Sequence, residues 1–216
     1  MPRTAPPEQH RTRHNGLDRH GLPAGQAPRE RLPELAFVFP VSGGYHAKEI
    51  AFTHRALVRA FRQYGPPALE SWLQRFDAVA FSSVRGFLSG SLDLAFRAPH
   101  DQRWYIVDWK SNHLGKTARD YGPRQLRAGM DEHHYHLQYH LYAIALCRYL
   151  AQRQPGFTPE RDFGGALYLF LRGMHPDHPL GTGIYYDRPS PSLLLELDRA
   201  LRGEPDARRG QLGLGL

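Results

Sequence analysis

The chain has 216 residues, of which 41% are hydrophobic and 23% charged, a formal net charge of +7 and one cysteine. That length suits one domain with a substantial core, and the lone Cys147 excludes an internal disulfide or a cysteine-ligated zinc or iron–sulfur site within the chain. No apolar run approaches the roughly 18 residues of a membrane span and no apolar signal segment follows Met1, so a cytoplasmic protein is expected, its basic character (pI near 9.7) favouring an anionic partner, nucleic acid ahead of membrane.

In chain order, residues 1–33 are rich in Pro, Gly, Arg and His without apolar periodicity and read as a disordered tail, in which His10, His14 and His20 have no rigid element to aim them at a metal. Leu35 to Val41 reads as a strand, with Pro40 placing it at an edge or bulge. Ile50, Leu57, Val58 and Phe61 recur at helical spacing, which predicts a helix over 45–63 closed by Gly65 and two prolines. His46 and His54 read there as surface-helix residues rather than ligands. Pro66 and Pro67 then open a short helix with a stripe of Leu69, Trp72, Leu73 and Phe76.

The stretch from Arg85 to Asn112 reads as a hairpin. In its first strand Leu88, Leu92, Leu94 and Phe96 alternate with Ser89, Ser91, Asp93 and Ala95, a period-2 pattern that sets Asp93 on the side away from the apolar one. The second strand, an apolar run from Trp104 to Val107, ends in Asp108, Trp109 and Lys110, and Asp108 and Lys110, two apart, project from one face. Two carboxylates and an ammonium can converge there. Hydrolysis of a phosphodiester uses such a set: Asp93 and Asp108 to hold a divalent metal, the Trp109 carbonyl as a further oxygen ligand, and Lys110 as a point charge beside the water or phosphate. The competing reading is a surface ion pair at a strand end, which contributes little. Composition argues against it: only Lys48, Lys110 and Lys116 are lysines in a chain that otherwise uses arginine.

Gly115-Lys116-Thr117 mimics the end of a phosphate-binding loop, but the glycine required five residues earlier is replaced by Lys110, so no nucleotide site is read there. Residues 131–152 are predicted as the longest helix, buried along Leu137, Leu141 and Ile144. Gln138 and Tyr142 share one of its faces and could reach a phosphate or a bound water. His136 and His140, four apart, invite a metal reading but lack a nearby acidic third ligand and are placed on a solvated face, while Cys147 is placed in the core. Gly165 to Leu171 reads as a strand buried on both faces, Ile184 to Tyr186 as a last strand, and Ser190-Pro191 as the start of a helix running to about Leu201. Residues 204–216 form a Gly/Arg-rich tail. The alternation gives an α/β domain over 34–203 with a central hairpin.

Four segments in order, Arg-Gly-Phe-x-x-Gly-x-x-Asp-Leu-x-Phe (85–96), Asp-Trp-Lys-Ser-Asn-x-Leu-Gly (108–115), Tyr-x-Leu-Gln-Tyr-x-Leu-Tyr (135–142) and Phe-Gly-Gly-x-x-Tyr-Leu-Phe-Leu-Arg-Gly (163–173), resemble the RecB-type nuclease domain found at the C-terminus of the beta subunit of bacterial exodeoxyribonuclease V, in the P-D-(D/E)-x-K superfamily. The resemblance spans about Glu34 to Arg202. It implies a restriction-endonuclease-like core, a mixed central sheet flanked by helices, and Mg²⁺-dependent DNA cleavage in double-strand-break processing, with one or two ions and Mn²⁺ able to substitute. Asp93 and Asp108 match the family's metal ligands, Lys110 its catalytic lysine, and Gln138 and Tyr142 its helix motif beside the site. The implied partners are DNA, RecC- and RecD-like subunits, a RecA-like recombinase and a helicase portion not found in this chain. The family's metal-binding histidine, on a helix well upstream of the first strand, has no counterpart in the sequence. Two expectations follow: a metal-dependent deoxyribonuclease, or a catalytically incomplete module that binds DNA or partner subunits.

Overall fold

Strands β1 (Arg31–Val41), β2 (Gly86–Arg97), β3 (Trp104–Lys110), β4 (Phe163–Phe170) and β5 (Ile184–Asp187) form one sheet, and they lie side by side in chain order. The computed structural model describes residues 30–41, 53–79 and 86–204. Predicted features at 1–29, 45–52 and 205–216, including His10, His14, His20 and His46, lie outside the described residues. Strand β1 begins at Arg31, so Arg31–Pro33, placed in the tail by the sequence reading, are strand.

All neighbouring pairs are antiparallel except β3 and β4, which run parallel. A parallel pair needs a crossover, and here it contains α3 (Pro123–Glu132) and α4 (Tyr135–Arg153). The remaining helices are α1 (His54–Tyr64), α2 (Glu70–Asp77), the single turn α5 (Pro159–Asp162) and α6 (Pro191–Arg202). This mixed sheet with helices is the α/β class expected. Among the described residues, no helix is long and apolar enough to cross a membrane.

Local chemistry sets the helix ends. Thr53 caps α1 by accepting from the Ala56 amide, and Ser190 caps α6 by accepting from Leu193, with Pro191 in the first turn. Gly203 ends α6 at φ 73°, a conformation that costs glycine no Cβ clash. The predicted single helix over 131–152 is two helices. His134, at φ 52°, turns the chain between α3 and α4, and its ring nitrogen accepts from the Trp72 indole at 3.1 Å.

The main core lies between one face of the sheet and the helices, joining Phe39, Leu92, Trp104, Ile106, Tyr168 and Phe170 to Leu57, Phe61, Trp72, Leu126, Ile144, Leu146 and Leu197. A smaller cluster of Leu94, Phe96, Ala98, Val107 and Leu169 covers the other face. The period-2 reading of β2 therefore needs correction, because Leu92 and Ala95 join the main core whereas Leu94 and Phe96 join the smaller cluster. Strict alternation would keep Leu92 and Leu94 together. The break falls at Asp93, opposite Glu34, whose φ of 46° interrupts β1 between the Pro33↔Leu94 and Leu35↔Leu92 pairs. Strand β4 is buried on both faces, as expected.

Candidate active site

The paired part of β2 and β3 stops at Leu94↔Val107, one step before Asp93 and Asp108 would face each other. At that step the Asp93 side chain replaces the ladder: its carboxylate accepts the backbone N–H of Trp109 at 2.9 Å. A carboxylate on a backbone amide makes a charge-assisted bond that fixes its orientation. Asp93 is thereby anchored to the peptide that joins Asp108 to Trp109.

Asp108 and Lys110 are buried, at 4% and 9% exposure, so the surface ion pair is not what forms. The Lys110 ammonium lies 2.6 Å from Asp108 Oδ2. The contact is a close ion pair, and among the described residues no other group donates to Oδ2. Burial lifts the Asp108 carboxyl above the usual carboxylate range, the Asp93 charge lifts it further, and the lysine beside it opposes both. Gln138 also holds that ammonium, so the buried Asp108 oxygen keeps lone pairs that a second cation can occupy. This oxygen and the neighbouring Asp93 suit a hard divalent cation, which prefers carboxylate oxygens. Among the described residues no group of three or more His, Cys, Asp or Glu side chains gathers as a metal site, so this chain's own acidic ligands there are the two aspartates.

Helix α4 supplies the other wall. Lys110 Nζ donates to Gln138 Oε1 at 3.0 Å, Tyr168 Oη donates to the same oxygen at 2.9 Å, and Gln138 Nε2 donates to Tyr142 Oη at 3.0 Å. The ammonium also lies 3.9 Å from the centre of the Tyr135 ring and 4.9 Å from that of Tyr168. Burial, and after it the Asp108 charge, raises the Tyr142 and Tyr168 hydroxyls above the usual phenol range, so both remain protonated donors.

Asp93, Asp108, Lys110, Gln138 and Tyr142 are thus brought to one place. The sequence reading quoted Tyr135, Tyr168 and Asn112 within its motifs but assigned them no role. Tyr135 had a signal, since it precedes Gln138 by three and Tyr142 by seven and shares their helical face. Tyr168 had only its place in the 163–173 motif, and it meets the site through the parallel pairing Asp108↔Tyr168 and its bond to Gln138. The rejected phosphate-loop mimic is a capping box: Asp120 accepts the backbone N–H of Thr117 and ends the loop in a 3-10 turn over Ala118–Tyr121.

The histidines require correction. His136 and His140 are buried, not solvated; His136 Nε2 lies 2.8 Å from Asp131 Oδ1, but among the described residues these groups do not gather as a metal site. His140 Nδ1 bonds to the His136 carbonyl at 2.7 Å, and its ring stacks on Tyr139. Leu137 and Leu141, predicted as the buried stripe, are only partly covered, because the histidine face takes the interior position. His54 is also buried, 2.9 Å from the Phe76 carbonyl. Cys147 packs against the main core, and burial pushes its thiol up to about 12.

Comparison with known proteins identifies the family. The model of the PD-(D/E)XK nuclease superfamily matches residues 11–207, and the chain belongs to that superfamily. Within it the chain is similar to the RecBCD enzyme subunit RecB of Escherichia coli K12, 37% identical over 190 residues that cover 87% of this chain and 15% of the relative. It is similar also to RecB of Haemophilus influenzae, 45% identical over 122 residues (56% of this chain, 10% of the relative), and of Mycobacterium tuberculosis strain CDC 1551, 34% identical over 207 residues (86% and 19%). The chain spans less than a fifth of the length of these relatives.

Proposed function

We propose that this chain is a Mg²⁺-dependent deoxyribonuclease domain of RecB type that cleaves DNA strands in double-strand-break repair and recombination. The observation that carries the reading is the buried Asp108 oxygen that has, among the described residues, the Lys110 ammonium as its close partner, with an anchored second aspartate beside it. Asp93, Asp108 and the Trp109 carbonyl would hold the ion, with Mn²⁺ able to replace Mg²⁺. When bound, such an ion polarises the phosphate and lowers the pKa of the attacking water. Hydrolysis joins the water oxygen to phosphorus as one phosphorus–oxygen ester bond breaks, and the departing oxygen takes up a proton. Lys110 stabilises the negative charge that gathers on the phosphoryl oxygens. Gln138 and Tyr142 lie on the phosphate side, where the amide and phenol donate to nonbridging oxygens.

The excess of arginine suits a phosphate backbone. By analogy with its RecB relatives, the domain works in the cytoplasm beside RecC- and RecD-like subunits, behind a helicase portion, and with a RecA-like recombinase. We assign the nuclease unit to residues 34–203, extended at its start by the first residues of β1. Titration of Mg²⁺ or Mn²⁺ into the purified chain by calorimetry, paired with a single-stranded DNA cleavage assay, tests the reading. Binding and cleavage are expected, and both are lost in Asp108→Ala. A folded wild-type chain that neither binds metal nor cuts DNA would overturn it in favour of a non-catalytic DNA- or partner-binding module.

A further inference from the structure

The Lys110 side chain poses a problem that Asp108 alone does not solve. A lysine has a long flexible stem, and a group placed for chemistry must be held to within about half an ångström by its surroundings. If Asp108 takes a metal ion, the carboxylate that now faces the ammonium is committed elsewhere. Something else must then keep Nζ in position.

We propose that Tyr135 and Tyr168 are positioning residues, an aromatic cradle that with Gln138 fixes the Lys110 ammonium independently of Asp108; the inference rests on the nuclease reading for its catalytic consequence, not for its geometry. Ring faces carry negative charge density and attract an ammonium, most strongly where water is excluded. Lys110 is buried, and both ring centres lie within 5 Å of Nζ. The rings are themselves tethered. Tyr135 Oη donates to Asn112 Oδ1 at 3.1 Å, Tyr168 Oη donates to Gln138 Oε1 at 2.9 Å, and the two rings pack at 5.6 Å with a 43° tilt. Gln138 Oε1 accepts from Lys110 and Tyr168 together, so the amide locks the ammonium to the second ring. Three elements converge: β3 brings the lysine, α4 brings Tyr135 and Gln138, and β4 brings Tyr168 through its pairing with Asp108. Metal capture by Asp108 would leave this support intact.

The three lysines make a direct test possible. In the full 216-residue chain, selective ¹³C-lysine labelling gives three ε-methylene signals, assigned with Lys110→Arg, and Lys116 serves as the exposed reference. The ring faces shift the Lys110 signal upfield of Lys116. That displacement persists in Asp108→Asn and collapses in Tyr135→Leu, whereas Tyr135→Phe, which keeps the ring, retains most of it. In cleavage assays Tyr135→Leu and Tyr168→Leu lower kcat about tenfold while KM for DNA stays within a few-fold, because the cradle acts on the lysine and not on substrate binding. A folded wild-type chain with no upfield lysine signal overturns the cradle, as does collapse of the shift in Asp108→Asn. If the wild type cuts no DNA, the nuclease reading fails on that result while the spectrum still decides the cradle, so the two failures are distinguishable.

Discussion

Two buried acid–base pairs flank the first turns of α4, and they differ in how completely the acid is satisfied. Asp131 accepts from Arg75 at 2.5 Å, pairs with His136 at 2.8 Å and receives the Ser71 hydroxyl at 3.5 Å. Asp108 has Lys110 at 2.6 Å, but among the described residues no other group donates to its Oδ2, and a second carboxylate stands nearby. The first arrangement ties α2, α3 and α4 together. The second leaves the acid less fully satisfied, which is what the proposed metal-binding role requires. Breaking a saturated buried pair leaves an uncompensated charge and costs stability, whereas an unsaturated buried acid costs stability until something binds it.

The sharpest break between the two pairs comes from matched substitutions. Asp108→Asn is expected to lower DNA cleavage on the order of 10³-fold. Its stability should fall by less than that of Asp131→Asn, because the ammonium that loses its counter-charge keeps Gln138 and the two rings. Asp131→Asn is expected to do the reverse, costing about 2–3 kcal/mol in urea unfolding with little loss of activity per folded molecule. Equal stability losses for both would erase the comparison.

A smaller effect concerns pH. Burial pushes the His140 pKa down to about 3 and also lowers that of His136, so both stay neutral in the fold. An unfolded histidine titrates near 6.5. The unfolded chain therefore takes up these protons first as the pH falls, and the contribution of His140 is complete above about pH 6.5 and is lost progressively toward pH 3, with a slope of up to about 1.4 kcal/mol per unit. His136 acts in the same direction. His140→Phe should flatten this slope when urea midpoints at pH 7.5 and pH 5 are compared; an unchanged slope would show that the imidazole is not held neutral. The smallest effect is expected at the exposed Arg62–Asp77 pair, 2.6 Å apart, where Arg62→Ala should shift unfolding by no more than about 0.5 kcal/mol. That pair serves as the solvated control for the two buried ones.

By itself the sequence determined those parts of the molecule whose cause is local. Strands β3, β4 and β5, the capped helix α6, the two-residue spacing that sets Asp108 and Lys110 on one face, and the four-residue spacing of Gln138 and Tyr142 all follow from backbone periodicity and capping chemistry. Only the tertiary structure decided what is buried and what meets across the chain. Helical spacing places His136 and His140 together but cannot tell a solvated face from an interior one, since that depends on Trp72 and Phe61 arriving from other helices. The break at His134 depends on the same packing, through the Trp72 indole. Tyr168 stands sixty positions from Asp108 and reaches it through a parallel pairing that no short-range pattern encodes. Whether Asp108 and Lys110 form a weak surface pair or a buried site was likewise set by long-range cover, because the energy of an ion pair depends on the dielectric around it, and that is a property of the whole fold.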